Sequence, residues 1–222
     1  MTRDGRAERW RSHREQRREA FLDASFRALA RHGSEVTMAD IAAEAGVAKP
    51  RLYRYFADKN DLFIAVADRT LRTLEQRMLP ALDPGLGPRR AIRTAVAAYV
   101  HLVAENPNVA WFLIGSGFVD RSHDADPVLG NSRKVAAALA RLLAANLPSG
   151  AAGATAAWAH ATVGAVKAST EWWLRTRDLG ENALIDHLTT FLWGGMDAAL
   201  RSEGIVLDPD EPIDLVSVKG RV

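Results

Sequence analysis

The residues best equipped for chemistry in this chain are crowded into one short stretch, Lys49 to Lys59 (KPRLYRYFADK). Leu52 and Phe56, four apart, define one apolar side of a helix, and Lys49, Pro50, Arg51, Tyr53, Arg54 and Tyr55 spread cations and phenols over the remainder. Cations neutralise phosphates, and an arginine guanidinium can donate two hydrogen bonds to O6 and N7 of one guanine. That combination suits the major groove of a duplex. Lys59 adds a second kind of contact. It stands at the first position of a further helix, where the macrodipole disfavours a cation, so with the free amides of that helix end it is placed to hold a phosphate. The expected DNA surface is Thr37, Lys49, Pro50, Arg51, Tyr53, Tyr55 and Lys59, with Arg51 the leading base reader.

Catalysis and metal binding are the competing chemistries. His101, His123, Asp124, Asp126, His160, Glu171 and His187 supply titratable groups, and the run SHDAD superficially offers metal ligands. Yet paired histidines with a glutamate at metalloprotease spacing, a nucleophile elbow and a glycine-rich phosphate loop are all missing. The chain has no cysteine, which removes disulfides, thiolate metal sites and a cysteine nucleophile. No enzymatic activity, cofactor or metal is expected.

The elements that must position these residues are marked by local signals. Thr37 is a helix cap with Asp40 three residues on, and Val36 can pack against Ile41 as a hydrophobic staple. Ile41, Ala42 and Ala45 give this helix a narrow apolar side, and Gly46 suits a left-handed helix end. Pro50 disfavours helical geometry at Lys49, so a second helix is expected from about Pro50 through Phe56. Two short helices around Gly46 and Val47 make a helix-turn-helix. Asp58 and Asp61 then open a further helix that runs to about Leu79. Upstream, Ser12 can cap a helix carrying Phe21, Leu22, Ser25, Phe26 and Leu29 and ending at Gly33. Residues 1 to 11 lack apolar periodicity and read as a flexible basic arm. Its arginines, Arg3, Arg6, Arg9 and Arg11, either reach phosphates or the minor groove, or form a solvating tail.

Thr37, Ile41, Ala42, Gly46, Val47, Leu52, Tyr53, Phe56, Lys59 and Leu62 stand at the spacing of the TetR family of transcriptional regulators, which the chain resembles over about residues 15 to 65. The resemblance implies an all-α homodimer. It assigns residues 12 to 62 to a three-helix helix-turn-helix domain that binds a double-stranded DNA operator. Residues 63 to 204 become a helical bundle for ligand binding and dimerisation, and residues 205 to 222 an extended tail.

The remaining sequence fits that plan. The helix from Asp58 to Leu79 reads as the only segment continuous between the two domains, and Pro88 opens another helix ending near Asn106. The stretch VAWFLIGSGFV is apolar on nearly every side and suits a buried helix or pocket wall. Tyr99, Trp111, Phe112, Phe118, Trp158, Trp172 and Trp173, with His160 or Glu171 as a polar group, are the candidates to line a cavity for a small apolar effector. Two long helices follow, about Ala151 to Arg177 and Glu181 to Ser202. The second has an apolar stripe wider than one neighbour covers, which puts Phe191, Leu192, Gly195, Met196 and Ala199 in a dimer interface or, alternatively, in one large core.

Charge agrees. Residues 1 to 60 carry thirteen Lys or Arg against nine Asp or Glu, whereas the rest carries sixteen against eighteen. A basic N-terminal end favours an anionic polymer as partner. No segment reads as a membrane span or signal peptide, so a cytoplasmic protein is expected. The function expected is a ligand-responsive DNA-binding regulator acting as a repressor; the alternative is a helical small-molecule-binding protein without specific DNA binding.

Overall fold

The computed structural model describes residues 4–115, 127–146 and 152–212 of the 222-residue chain, and within them every regular element is helical, with no strand. The helices are α1 (Asp4–His32), α2 (Met38–Glu44), α3 (Lys49–Leu52), α4 (Lys59–Met78), α5 (Pro88–Glu105), α6 (Pro107–Gly115), α7 (Pro127–Asn146), α8 (Ala152–Thr176) and α9 (Glu181–Ser202). Contacts divide the chain into two units. One comprises Met1–Leu71 with Asn106–His123, the other Arg72–Glu105 with Asp124–Val222. The boundary therefore falls inside α4 rather than at its start. The chain also crosses it between Glu105 and Asn106, so α4 is not the only continuous link.

In the first unit, Phe21, Leu22 and Leu29 of α1 close over Ile41 of α2, Leu52 of α3 and Leu62 and Val66 of α4, all buried. Glu44 ties α2 to α1 through Arg27 at 2.7 Å and Arg31 at 2.8 Å. These hydrogen-bonded cations hold the Glu44 carboxyl below its ordinary range. Arg69 of α4 reaches Glu19 and Asp23 on α1. The arm expected over residues 1 to 11 is corrected from Asp4 on, where α1 begins and runs without an irregular stretch to Ser12 and beyond, because helix formation there follows propensity. Residues 6 to 20 contain neither glycine nor proline and are rich in Arg, Glu, Gln and Ala, whose helix propensity needs no apolar periodicity.

A second correction concerns α6. The expected pocket residue Phe112 is buried in the first unit's core, where its ring meets Phe63 edge to face at 4.3 Å between centroids. Trp111 belongs to the same unit. Asn108 fixes the helix by donating its amide to the Ala30 carbonyl at 2.7 Å, satisfying one of the orphan acceptors at the end of α1.

In the second unit α5 packs on α9 and α7 on α8. Trp173 of α8 is buried, donates its indole N–H to the Leu179 carbonyl at 2.8 Å and lies under the Arg177 guanidinium. Helix α9 ends in a Schellman motif, with Gly204 at φ 76° and the Ile205 amide donating to the Leu200 carbonyl at 2.9 Å. The described part of the tail is pinned. The Arg89 guanidinium donates to both oxygens of the Asp210 carboxylate, and the Arg89 amide donates to the Pro209 carbonyl. Gly87 makes that crossing possible, because a Cβ there would come within 2.4 Å of the Asp210 backbone.

Candidate nucleic-acid interface

The interface begins at Thr37. Its hydroxyl accepts from the Asp40 amide at 3.2 Å while the Asp40 carboxylate accepts from the Thr37 amide at 2.8 Å, a complete capping box. The hydroxyl also donates to Asp40 at 2.7 Å, so its proton is already engaged. These bonds hold the Asp40 carboxyl below its ordinary range. Val36 and Ile41 are both buried in one core, as the staple requires. At the other end of α2, Gly46 adopts φ 64° and the Val47 amide donates to the Ala42 carbonyl at 2.9 Å. The chain turns there and enters α3.

Helix α3 is shorter than its sequence suggested. It starts at Lys49 and its α-helical part ends at Leu52, after which the Arg54 and Tyr55 amides donate three residues back, to Arg51 and Leu52. Pro50 lies in the first turn, where a missing amide leaves no bond unmade. Leu52 and Phe56 are fully buried, and Lys49, Pro50, Arg51, Tyr53 and Arg54 are exposed, so the division of faces read from sequence holds. Among the described residues no carboxylate pairs with Lys49, Arg51, Arg54 or Lys59. Lys49 lies over the Tyr53 ring at 5.9 Å and Lys59 over Phe63 at 5.0 Å, contacts that leave their ammonium groups open to an anion.

Tyr55 departs from this pattern. Its ring is half-buried and meets Phe21 edge to face at 5.0 Å, because at three residues from Leu52 it shares the inward side of the turn. Lys59 is the first residue of α4, as expected. Asp58 accepts from the Asp61 amide, and Asp61 reaches back to the Ala57 amide.

The candidate effector residues are not brought together. Phe118, His123, Asp124 and Asp126 lie outside the described residues, and Trp111 and Phe112 sit in the first unit. His160 and Trp172 are exposed on α8, the latter by 47%. Tyr99 packs beside Leu74, Ala98 and Leu102, and burial together with the nearby Glu171 charge pushes its phenol up to about 12. Lys167, which the sequence reading passed over, holds Glu171 at 2.8 Å. A cavity of about 340 Å³ opens instead among Arg77, Arg93, His101 and Glu105, with none of the expected aromatic residues in its wall.

On α9 the expected interface residues divide. Leu192 is buried within the chain's own core, a correction that follows from its place one turn beyond Leu188 on the face toward α5. Phe191 is 70% exposed, Gly195 is exposed, and Met196 and Ala199 are half-buried. Among the described residues, no helix is long and apolar enough to cross a membrane and no three metal-binding side chains cluster.

Comparison with known proteins agrees with this geometry. The signature described as bacterial regulatory proteins, tetR family, matches residues 21–66, and that of the tetracyclin repressor-like C-terminal domain matches residues 77–205. An uncharacterized HTH-type transcriptional regulator of Mycobacterium tuberculosis is 34% identical over 208 residues, covering 90% of this chain and 86% of that protein. A TetR-like transcriptional regulator from Rhodococcus sp. RHA1 superposes with a TM-score of 0.61 at 28% identity, covering 82% and 95% of the two chains. AibR, solved with isovaleryl coenzyme A and operator DNA, shares the fold at a TM-score of 0.57 and 18% identity, over 79% and 97%. With the two signatures matched over residues 21–66 and 77–205 and the helix-turn-helix built as described, the chain belongs to the TetR family of HTH-type transcriptional regulators.

Proposed function

We propose that this regulator is a cytoplasmic homodimeric repressor that leaves its operator when a small apolar molecule binds the second unit. The observation that carries the DNA surface is the segregation on α3 and its following turn, where Lys49, Arg51 and Arg54 are exposed without carboxylate partners while Leu52 and Phe56 are buried. Lys49, Pro50, Arg51 and Tyr53 enter the major groove in this reading. Lys59 holds a phosphate, Thr37 lies at the rim with its lone pair, and Tyr55 offers only the edge that its packing on Phe21 leaves free.

The dimer is assigned to the outward faces of α8 and α9, with Phe191, Gly195, Met196 and Ala199. Effector binding is supported by AibR, whose structure holds an acyl coenzyme A together with operator DNA. In this chain Tyr99 and Glu171, whose charge reaches the Tyr99 phenol, are the residues retained for the pocket, with half-buried Trp158 about 20 Å from Glu171 along α8. The switch uses α4, since it passes from Lys59 through the boundary at Leu71 into the second unit. A ligand shifts that equilibrium only by its differential affinity for the two arrangements.

Selection of bound sites from random duplexes supplies the operator and tests the reading. Arg51→Ala should then lose about 1 to 3 kcal/mol on the preferred site and relax one position, whereas Lys59→Ala should weaken all sequences alike and lower the salt slope by about one. Equal binding by wild type and both variants refutes the assignment.

A further inference from the structure

Helix α1 is longer than its domain needs. Its 29 residues span about 44 Å, yet from His13 on, where burial is described, the first residue it buries in the core is Phe21. The preceding segment, residues 4–20, therefore continues as helix for about 25 Å, with Trp10 its only large apolar residue and charged or polar side chains at most other positions. Residues 1 to 18 contain seven arginines against three acidic residues.

Helical spacing sorts those charges. Positions 11, 14, 18 and 21 fall on one row of the helix, and all but the last are arginine. Positions 4, 8, 15 and 19, all acidic, fall on another. The structure fixes the direction of each row. Arg18 stacks on the Phe56 ring at 4.9 Å and Phe21 meets Tyr55 at 5.0 Å, so the arginine row lies over the turn between the exposed α3 cations and Lys59. Glu19 and Asp23 instead pair with Arg69 of α4 at 3.4 Å and 2.6 Å. Arg14, on the row, is exposed, and Arg17, four residues before Phe21 and so bordering the same row, is half-buried; among the described residues neither has a carboxylate partner. Like charges four apart, as at Arg14 and Arg18, destabilise a helix, and a segment of this length is marginal without tertiary packing. An external polyanion removes both penalties.

We propose that the N-terminal half of α1 is a rigid basic rail that lies along the phosphate backbone of the duplex beside the helix-turn-helix, extending the footprint into flanking DNA by about seven base pairs per subunit. This deepens the DNA-binding reading above and rests on it. The rail neutralises phosphates without reading bases, so its contribution is the same for every flanking sequence. Its helical form distinguishes it from a flexible arm, which would keep its contacts when the backbone is bent.

The test uses the full chain on its selected operator, measured by fluorescence anisotropy between 50 and 200 mM salt. The duplexes carry long flanks or are trimmed to the core. Removing two phosphate contacts with Arg14→Gln/Arg17→Gln should reduce the salt slope by about two, so that wild type loses about twelvefold more affinity than the variant over that range. The difference should vanish on the trimmed duplex. Ser12→Pro keeps every arginine but breaks the helix, and should remove much of the flank dependence too. Circular dichroism and thermal melting confirm that both variants retain the core. Unchanged salt slope and flank dependence in both variants overturns the rail. So does binding of wild type to anionic vesicles that Arg14→Gln/Arg17→Gln abolishes while leaving DNA binding intact. If wild type shows no sequence preference on any duplex, the DNA-binding reading fails instead, which the trimmed duplex and Arg51→Ala identify separately.

Discussion

Phe191 stands on the outward face of α9 with 70% of its surface exposed, and its removal is the sharpest test of where the subunits meet. A phenylalanine of about 200 Å² leaves roughly 140 Å² for a partner to cover, which at about 25 cal/mol per Å² is about 3.5 kcal/mol per subunit. A two-fold interface counts each contact twice, so full coverage of both rings gives an upper bound of about 7 kcal/mol. Phe191→Ala leaves a methyl group behind and real interfaces cover less than everything, so a loss of about 3 kcal/mol is expected, roughly a hundredfold rise in the dimer dissociation constant. The exposed side chain contributes little to its own protomer, so helicity and protomer folding should be unchanged. Sedimentation equilibrium over a wide concentration range measures the constant, and circular dichroism checks the fold. Gly195→Arg provides a second probe from the same face. If both variants remain folded and dimerise with the wild-type constant, the interface lies elsewhere and the reasoning from exposure is wrong.

Three further substitutions test the architecture of the two units. Gly87→Ala would drive a Cβ to 2.4 Å from the Asp210 backbone, so the tail should detach; thermal melting should drop and limited proteolysis should cut after Ile205, whereas Arg89→Ala, removing an exposed ion pair, should cost no more than about 1 kcal/mol. Thr37→Ala should destabilise the first unit by about 1 kcal/mol through loss of the cap. Asp40 has its carboxyl held below its ordinary range by hydrogen bonds from Thr37, so its contribution is complete above the ordinary carboxylate range and lost as pH falls through the lower folded value. Thr37→Ala should therefore flatten that part of the acid-unfolding curve, and an unchanged curve would show the capping box to be without weight.

The helix-turn-helix was legible because its signals are local. The Thr37 box, the Gly46 helix end and the Leu52 to Phe56 spacing each act within four residues, so no distant part of the chain was needed to interpret them. Helix α6 was not legible for the opposite reason. A run apolar on every side announces burial without saying against what, and the partner of Phe112 is Phe63, far back in the chain on α4. Only Asn108 pointed there, as a side chain able to cap a helix end, and it does so at Ala30. The start of α1 was missed through a different error. Missing apolar periodicity shows that a helix has no buried face, whereas forming the helix depends on propensity, which this arginine-rich stretch has.

The split between Phe191 and Leu192 shows where a sequence stripe stops being informative. Adjacent helical residues point about 100° apart, so an apolar band this wide contains one edge for the chain's own core and another for something else. Only the position of α5 against α9 decides which edge is which. Glycine then carries the argument outward. Gly164 of α8 and Gly194 and Gly195 of α9 have open space where a Cβ would stand, so nothing in their own protomer requires glycine. Each costs a helix interior about 1 kcal/mol relative to alanine. Gly194 and Gly195 stand one helical turn from the exposed Phe191, and such positions are hard to explain on a solvated surface, but they let the backbones of packed helices approach closely. That is the physical reason for placing the partner subunit there, and for expecting Gly195→Arg to act through association rather than folding.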